Sequence, residues 1–183
     1  MRHIRRSSAA AALVASLWAL PSAARPYTER ERGMAQAVAV DRVASFEDTG
    51  GGPAATLVLK DGTSLLVPRD DQRFAHWSTR LKEEQASGAF VYVAYDPASR
   101  RVAQILAPHA RRIESVGAEP DGERLEVQLY RSPSTNFIVT SRPDYAELRA
   151  RLTAAVASKE KLLVTSSVED LEILDARPSP PAP

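Results

Sequence analysis

The sequence predicts a mainly β protein with two helices, organised as two tandem, duplicated β-barrel-like modules. Short stretches in which apolar and polar residues alternate, as they do in half-buried strands, recur from about residue 40 onward. Two other segments place apolar residues at helical spacing. The same order of these elements occurs twice, and the two occurrences are separated by about 70 residues.

The composition is that of an ordinary globular protein. The chain has 183 residues, of which 44% are hydrophobic and 26% are charged, and it contains no cysteine. Without cysteine the protein has no disulfide framework, no zinc site built on thiolates and no cysteine nucleophile.

The N-terminus has the three-part pattern of a secretory signal peptide. Three arginines within the first six residues precede an apolar run over 9–20, and the small residues Ser22 and Ala24 follow helix-breaking Pro21. The apolar run is shorter than the ~20 residues that span a bilayer. We therefore expect residues 1–24 to be removed by cleavage after Ala24. An uncleaved membrane anchor is the alternative.

Cleavage would give an exported protein, periplasmic or secreted, with no membrane span, since no second apolar stretch of spanning length follows. The formal net charge is +1, but removing three arginines and no acids brings it to about −2, which argues against nucleic acid as a partner. Residues 25–37 are expected to be a flexible lead-in and residues 178–183 a proline-rich tail.

The first module, residues 38–108, is predicted to contain three strands, a helix and two further strands. The strands are placed at 42–46, 56–60, 64–67, 90–95 and 102–106, and the helix over about 72–87. Gly88 is expected to end the helix.

The second module, residues 109–177, repeats this β-β-β-α-β-β order at offsets of 70 and 71 residues. Its strands are placed at 112–116, 125–130, 137–139, 162–164 and 171–174, and its helix over about 144–158. The last hairpin is expected to be about three residues shorter than its counterpart. Chance agreement among short amphipathic elements is the alternative to duplication.

One helix between the third and fourth of five strands resembles the element order of the OB-type small barrel. The resemblance is one of topology, covers both modules and includes no diagnostic motif. A split five-stranded sheet covered by its helix would have the same order, so two separate barrels or one fused sheet are both compatible with the pattern.

Each module serves as a control for the other. Trp77 aligns with Leu148, so both are predicted to pack in the core beneath their helices. His76 aligns with Glu147, and both are therefore predicted to face solvent. Asp70 or Asp71 is expected to cap the first helix, and Asp144 the second.

Motifs for catalysis and metal binding are missing from the sequence. His76 and His109 are 33 residues apart without an HExxH motif, no GxSxG motif is present, and the glycines at 50–52 lack the lysine of a phosphate-binding loop. We expect no metal, no cofactor and no catalytic residues. An enzyme whose dispersed catalytic residues form no motif is the alternative.

The candidate ligand-binding residues are Lys60, Arg69, Arg100 and Arg101. They lie on or beside the second and third strands and in the last hairpin of the first module, which form the usual ligand face of OB-type barrels. Arg111–Arg112, after His109, adds positive charge at the junction of the modules. The alternative is that these are ordinary solvated arginines.

The sequence therefore favours an exported, non-enzymatic binding or interaction protein. Its expected partner is an anionic glycan or lipid headgroup of the cell envelope, or another protein. A purely structural or inhibitor-like protein that binds through apolar surface is the remaining alternative besides an enzyme.

Overall fold

The structure is a computed structural model, and it describes residues 37–117 and 122–180. The predicted signal peptide, its cleavage site and residues 25–36 of the predicted lead-in lie outside these ranges. The strands are β1 (Ala37–Glu47), β2 (Ala54–Leu59), β3 (Ser64–Pro68), β4 (Phe90–Tyr95), β5 (Val102–Leu106), β6 (His109–Val116), β7 (Arg124–Leu129), β8 (Thr135–Val139), β9 (Lys161–Ser166) and β10 (Ile173–Pro178). The helices are α1 (Phe74–Ser87) and α2 (Tyr145–Ser158).

The fold is mainly β, with two helices and two antiparallel five-stranded sheets. The first sheet has the order β3-β2-β1-β4-β5, and the second has the order β8-β7-β6-β9-β10. The central strands β1 and β6 thus hold the same place in their sheets. We call residues 37–108 the first half of the structure and residues 109–180 the second half.

The central strands are irregular at matching positions. Pairing shifts register between Val43 and Ser45 in β1, and between Ile113 and Ser115 in β6. Such a bulge bends and twists the strand. Residues 37–42 of β1 pair with β4, and the strand pairs with β2 from Val43 onward. Residues 109–112 of β6 likewise pair with β9, and the strand pairs with β7 from Ile113 onward, so one bent strand has two neighbours.

The two outer strands of each sheet come close to one another. An isolated parallel bridge joins Leu66 of β3 to Arg101, next to β5, and another joins Phe137 of β8 to Glu172, next to β10. The Leu66 N–H donates to the Arg100 carbonyl at 2.9 Å. Both hairpins thus lie against the third strand of their own half.

Each half has its own hydrophobic core beneath its helix. Trp77 and Leu148 are each only 2% exposed, and they belong to separate clusters made of residues from one half. Their predicted core positions are confirmed, and His76 and Glu147 are exposed as predicted. Neither helix in the described ranges is long and apolar enough to cross a membrane.

The predicted helix stop is confirmed, whereas the predicted helix caps are wrong. Gly88 ends α1 with a left-handed φ of 67°. At the other end the N-cap position belongs to Arg73, and Asp71 accepts hydrogen bonds from the Arg73 N–H and guanidinium. Asp144 occupies the N-cap of α2, but its carboxylate pairs with Arg142 and makes no capping bond. In both halves an arginine two residues away binds the carboxylate instead.

The predicted last strand is also misplaced. It begins at Ile173, which is fully buried, and Leu171 lies in the preceding turn with a φ of 65°. The β9–β10 hairpin is therefore as long as the β4–β5 hairpin, and not three residues shorter. The strand continues to Pro178, which pairs with Leu162. Proline is tolerated there because β10 ends its sheet.

Candidate functional site

The four predicted ligand-binding cations do not form one compact cluster. Lys60 follows β2 in an exposed turn, whereas Arg69 follows the opposite end of β3. A five-residue strand separates these ends by roughly 17 Å. Arg100 and Arg101 lie together in the β4–β5 hairpin.

Arg69 holds the loop between β1 and β2. Its Nη1 donates to the Gly52 carbonyl at 2.8 Å, its Nη2 pairs with Asp48, and its side chain is only 18% exposed. In the second half the aligned residue is Thr140, whose hydroxyl donates to the Gly122 carbonyl at 2.8 Å. In the second half a neutral side chain thus makes the corresponding contact with the loop.

The hairpin arginines differ from each other in their contacts. Arg101 pairs with the Asp70 carboxylate, so part of the hairpin charge is already neutralised. Arg100 is exposed, has a φ of 60° and lies over the Tyr95 ring at 5.9 Å. Anion binding by this hairpin stays a prediction.

A cavity of about 420 Å³, which we call the junction cleft, lies where the two halves meet. The first half contributes α1 and the end of β5. The second half contributes the start of β6, the end of β7, the start of β8, the turn between them, β9 and the β9–β10 hairpin. Its basic or titratable lining residues are His76, Arg80, His109, Arg111 and Arg131. No aspartate or glutamate of the described ranges lines it.

The local structure brings these side chains to one place. His76 and Arg80 are four residues apart on α1 and so lie on the same helical face. His109 and Arg111 are two residues apart on β6 and so share one face of the strand. Arg131 follows β7 in the turn, with a φ of 58°.

The arginines of the junction cleft lack acidic partners. Within residues 37–117 and 122–180, neither Arg80, Arg111 nor Arg131 forms an ion pair, and the buried Nε of Arg80 has no hydrogen-bond partner. Arg131 lies over the Tyr130 ring at 5.1 Å. Like charges around one cavity repel one another, the more weakly the more water screens them, and Arg111 and Arg131 are exposed. A bound anion would reduce this repulsion and accept hydrogen bonds from the guanidiniums.

Smaller or more polar residues line this region in the second half. Leu65 is fully buried in the first half and Tyr95 packs against its core. Their aligned residues are Asn136 and Ser166, which both line the junction cleft. The Asn136 Nδ2 donates to the Ser166 Oγ at 3.2 Å and to the Leu171 carbonyl at 3.0 Å. The second half thus has polar groups where the first has an apolar filling.

Charge also differs between aligned positions. Asp41 and Asp61 of the first half align with Arg111 and Arg131. The Asp41 carboxylate accepts a hydrogen bond from the Asp61 N–H at 2.7 Å, and so it stabilises the turn between β2 and β3. In the second half both positions are basic and line the cleft.

Little of this site can be predicted from the sequence. The sequence indicates positive charge at Arg111–Arg112, but not that Arg111, Arg80 and Arg131 line one cavity. The usable signal was the replacement of acids by arginines at aligned positions of the two halves. The approach of α1 to the second half depends on tertiary structure and has no sequence signal.

The chemistry of the junction cleft suits anion binding. The described part of the chain contains no group of three or more potential metal ligands among its histidines and acids. No protein-family model, curated protein or solved structure matches this chain. The function is therefore inferred from the side chains of the cleft.

Proposed function

We propose that this chain is an exported, non-enzymatic binding protein, periplasmic or secreted, that holds an anionic group of an envelope glycan or lipid in the junction cleft. The observation that carries the proposal is the presence of three arginines without acidic partners around one cavity that no described acid lines. Guanidiniums are suited to bind phosphate, sulfate and carboxylate groups through paired, charge-assisted hydrogen bonds.

We further propose that the two halves are duplicated OB-type barrels. Their identical sheet orders and matching bulges support this. Backbone hydrogen bonds also recur at the same offset: Lys60 N–H donates to the Arg42 carbonyl, and Tyr130 N–H donates to the Arg112 carbonyl, both at 2.9 Å. The parallel bridge between the outer strands agrees with a five-stranded, partly open barrel.

The position of the junction cleft agrees with this architecture. OB-type barrels bind ligands on strands two and three and on the adjacent hairpins. In the second half these elements are β7, β8 and the β9–β10 hairpin, and all three contribute lining residues. They correspond to the elements on which the sequence placed a ligand face in the first half.

Export is tested by expressing the full chain with a C-terminal tag and measuring the mass of the exported product. We expect a polypeptide that begins at Arg25, because Ser22 and Ala24 occupy the −3 and −1 positions of the cleavage site. An intact N-terminus held in the membrane fraction would contradict export of a cleaved form.

Anion binding is tested by titrating the protein with inorganic phosphate at low salt and following its melting temperature. We expect phosphate to stabilise the parent through binding to the folded state, and less so as salt rises. Arg111→Gln combined with Arg131→Gln should abolish the shift. Arg149→Gln, on the exposed surface of α2, is the matched control and should behave as the parent.

The same titration distinguishes the junction cleft from the predicted hairpin site. Arg100→Ala combined with Arg101→Ala should leave phosphate binding unchanged if the cleft is the site. If this variant loses phosphate binding and the Arg111→Gln, Arg131→Gln variant does not, the anion binds at the β4–β5 hairpin and the proposal for the cleft is refuted.

A further inference from the structure

The junction cleft has an apolar lip in addition to its basic residues. Val168 and Leu171, in the β9–β10 hairpin, line it and are 83% and 38% exposed. Their aligned residues in the first half are Pro97 and Arg100. A ligand that covers large exposed apolar side chains removes apolar surface from water, which favours binding.

The apolar and basic walls are adjacent. Val164 of β9 lines the cleft and pairs in register with His109 of β6, so their Cα atoms lie about 5 Å apart. Arg111 follows on the same face of β6. Val164 and Arg111 are therefore diagonal neighbours on this strand pair, with Cα atoms roughly 7–8 Å apart.

On the basis of the proposed function, we infer that the ligand is a small amphiphilic anion, in which a phosphate, sulfate or carboxylate group carries a short alkyl chain. The arginines would bind the charged group, while the exposed Val168 and Leu171 would cover the alkyl chain. A volume of about 420 Å³ is in the range of small-molecule sites. A purely hydrophilic sugar anion would leave the apolar lip exposed to water.

Calorimetric titration with inorganic phosphate, monobutyl phosphate and monohexyl phosphate tests this inference. Each methylene that the cleft buries should strengthen binding by up to about fourfold. We expect affinity to rise at least about tenfold from inorganic phosphate to monobutyl phosphate and to rise again for monohexyl phosphate.

Variants of the cleft separate the contribution of the alkyl chain to binding from that of the charged group. Val168→Ser combined with Leu171→Ser should lower the affinity for monohexyl phosphate far more than that for inorganic phosphate, and so flatten the dependence on the length of the alkyl chain. Leu66→Ser is the matched control, because Leu66 is exposed on β3 and does not line the cleft. Ser166→Tyr introduces into the cleft the residue type of the aligned Tyr95, and it should weaken the binding of every probe.

The outcomes distinguish the inference from the proposed function. If affinity is independent of chain length but is lost in Arg111→Gln with Arg131→Gln, the anion site stands and the inference is overturned. If inorganic phosphate does not bind at low salt, the proposed function fails. If alkyl phosphates bind the arginine variant as tightly as the parent, the cleft recognises the chain alone and both are overturned.

A competition experiment identifies the source of the amphiphile. Displacement of monohexyl phosphate by vesicles of phosphatidylglycerol, and not by vesicles of phosphatidylcholine, would assign the site to a membrane lipid headgroup. Failure of both vesicles to displace it would assign the site to a free amphiphile. Displacement by both vesicles alike would contradict recognition of the negative charge.

Discussion

An arginine–aspartate pair precedes each helix, and the two halves place its charges in opposite order. In the first half Asp71 pairs with Arg73, and in the second half Arg142 pairs with Asp144. The adjacent backbone hydrogen bonds are nevertheless the same. The Trp77 N–H donates to the carbonyl of residue 73 at 2.9 Å, and the Leu148 N–H donates to the carbonyl of residue 144 at 3.0 Å. The backbone thus tolerates either order of charge.

The exchange does alter how each helix is fastened. Arg142 also donates to the Ile173 carbonyl at 2.6 Å and to the Leu174 carbonyl at 2.8 Å, which ties the start of α2 to β10. Arg73 instead lies over the Trp77 ring at 4.5 Å. One half therefore relies on an arginine bound to backbone carbonyls, and the other on a large buried aromatic.

The largest expected effect is that of truncating the buried helix residues. Trp77→Ala should lower the free energy of unfolding by roughly 3–5 kcal/mol, and Leu148→Ala by roughly 2–5 kcal/mol, since each leaves a cavity in its core. Urea unfolding monitored by circular dichroism measures both. His76→Ala, one residue away and exposed, should change it by less than about 0.5 kcal/mol. A Trp77→Ala curve that overlays the parent would refute the core assignment.

The arginines of the exchanged pairs should differ in their effect on stability. Arg142→Ala should cost about 1.5–3 kcal/mol, because it removes hydrogen bonds from a charged donor to two carbonyls. Arg73→Ala should cost about 1 kcal/mol or less, since its side chain is 47% exposed. Equal losses in the two variants would show that the exchange is energetically symmetrical.

The exchanged pairs also predict how stability depends on pH. The hydrogen bond from Arg73 lowers the pKa of Asp71. Burial raises the pKa of Asp144, but the hydrogen bond and charge of Arg142 outweigh burial, so that pKa is also lowered. A carboxylate with a lowered pKa in the folded state stabilises the protein above its unfolded pKa, near 3.8, and this contribution is lost as pH falls further.

We therefore expect stability from these pairs to be constant between about pH 7 and 5 and to fall below about pH 4. Asp71→Asn combined with Asp144→Asn should reduce the slope of that fall in urea unfolding at several pH values. A residual slope is expected from Asp96, whose pKa is lowered by hydrogen bonds from the Ser99 and Ala98 N–H groups. An unchanged slope in the double variant would contradict these assignments.

Local pattern predicted the order of the strands and helices because the apolar residues keep the same phase in both halves. It placed the start of β10 too early, because Leu171 is apolar and fits the strand pattern. The backbone of Leu171 has a positive φ and lies before the strand. It failed at the helix caps, because a nearby guanidinium competes for the carboxylates of Asp71 and Asp144. It could not predict the junction cleft, since that requires knowing that Arg80 approaches the β7–β8 turn of the other half.

The smallest expected effect concerns a buried difference between the halves. Thr165 aligns with Ala94, and both are buried on the face of β9 or β4 that points away from the core cluster. The Thr165 Oγ1 is buried, and in the described part of the chain it has no hydrogen-bond partner. Thr165→Val keeps the shape of the side chain and removes this hydroxyl. It should raise the free energy of unfolding by about 1 kcal/mol.

The same substitution at Thr140 is the matched control, because the Thr140 hydroxyl donates to the Gly122 carbonyl at 2.8 Å and to the Glu123 carbonyl at 3.0 Å. Thr140→Val should therefore lower the free energy of unfolding, by about 0.5–1.5 kcal/mol. Opposite signs at the two threonines would show that partnering of the hydroxyl decides the effect. A loss of stability in Thr165→Val would mean that its hydroxyl has a partner in solution, such as an ordered water.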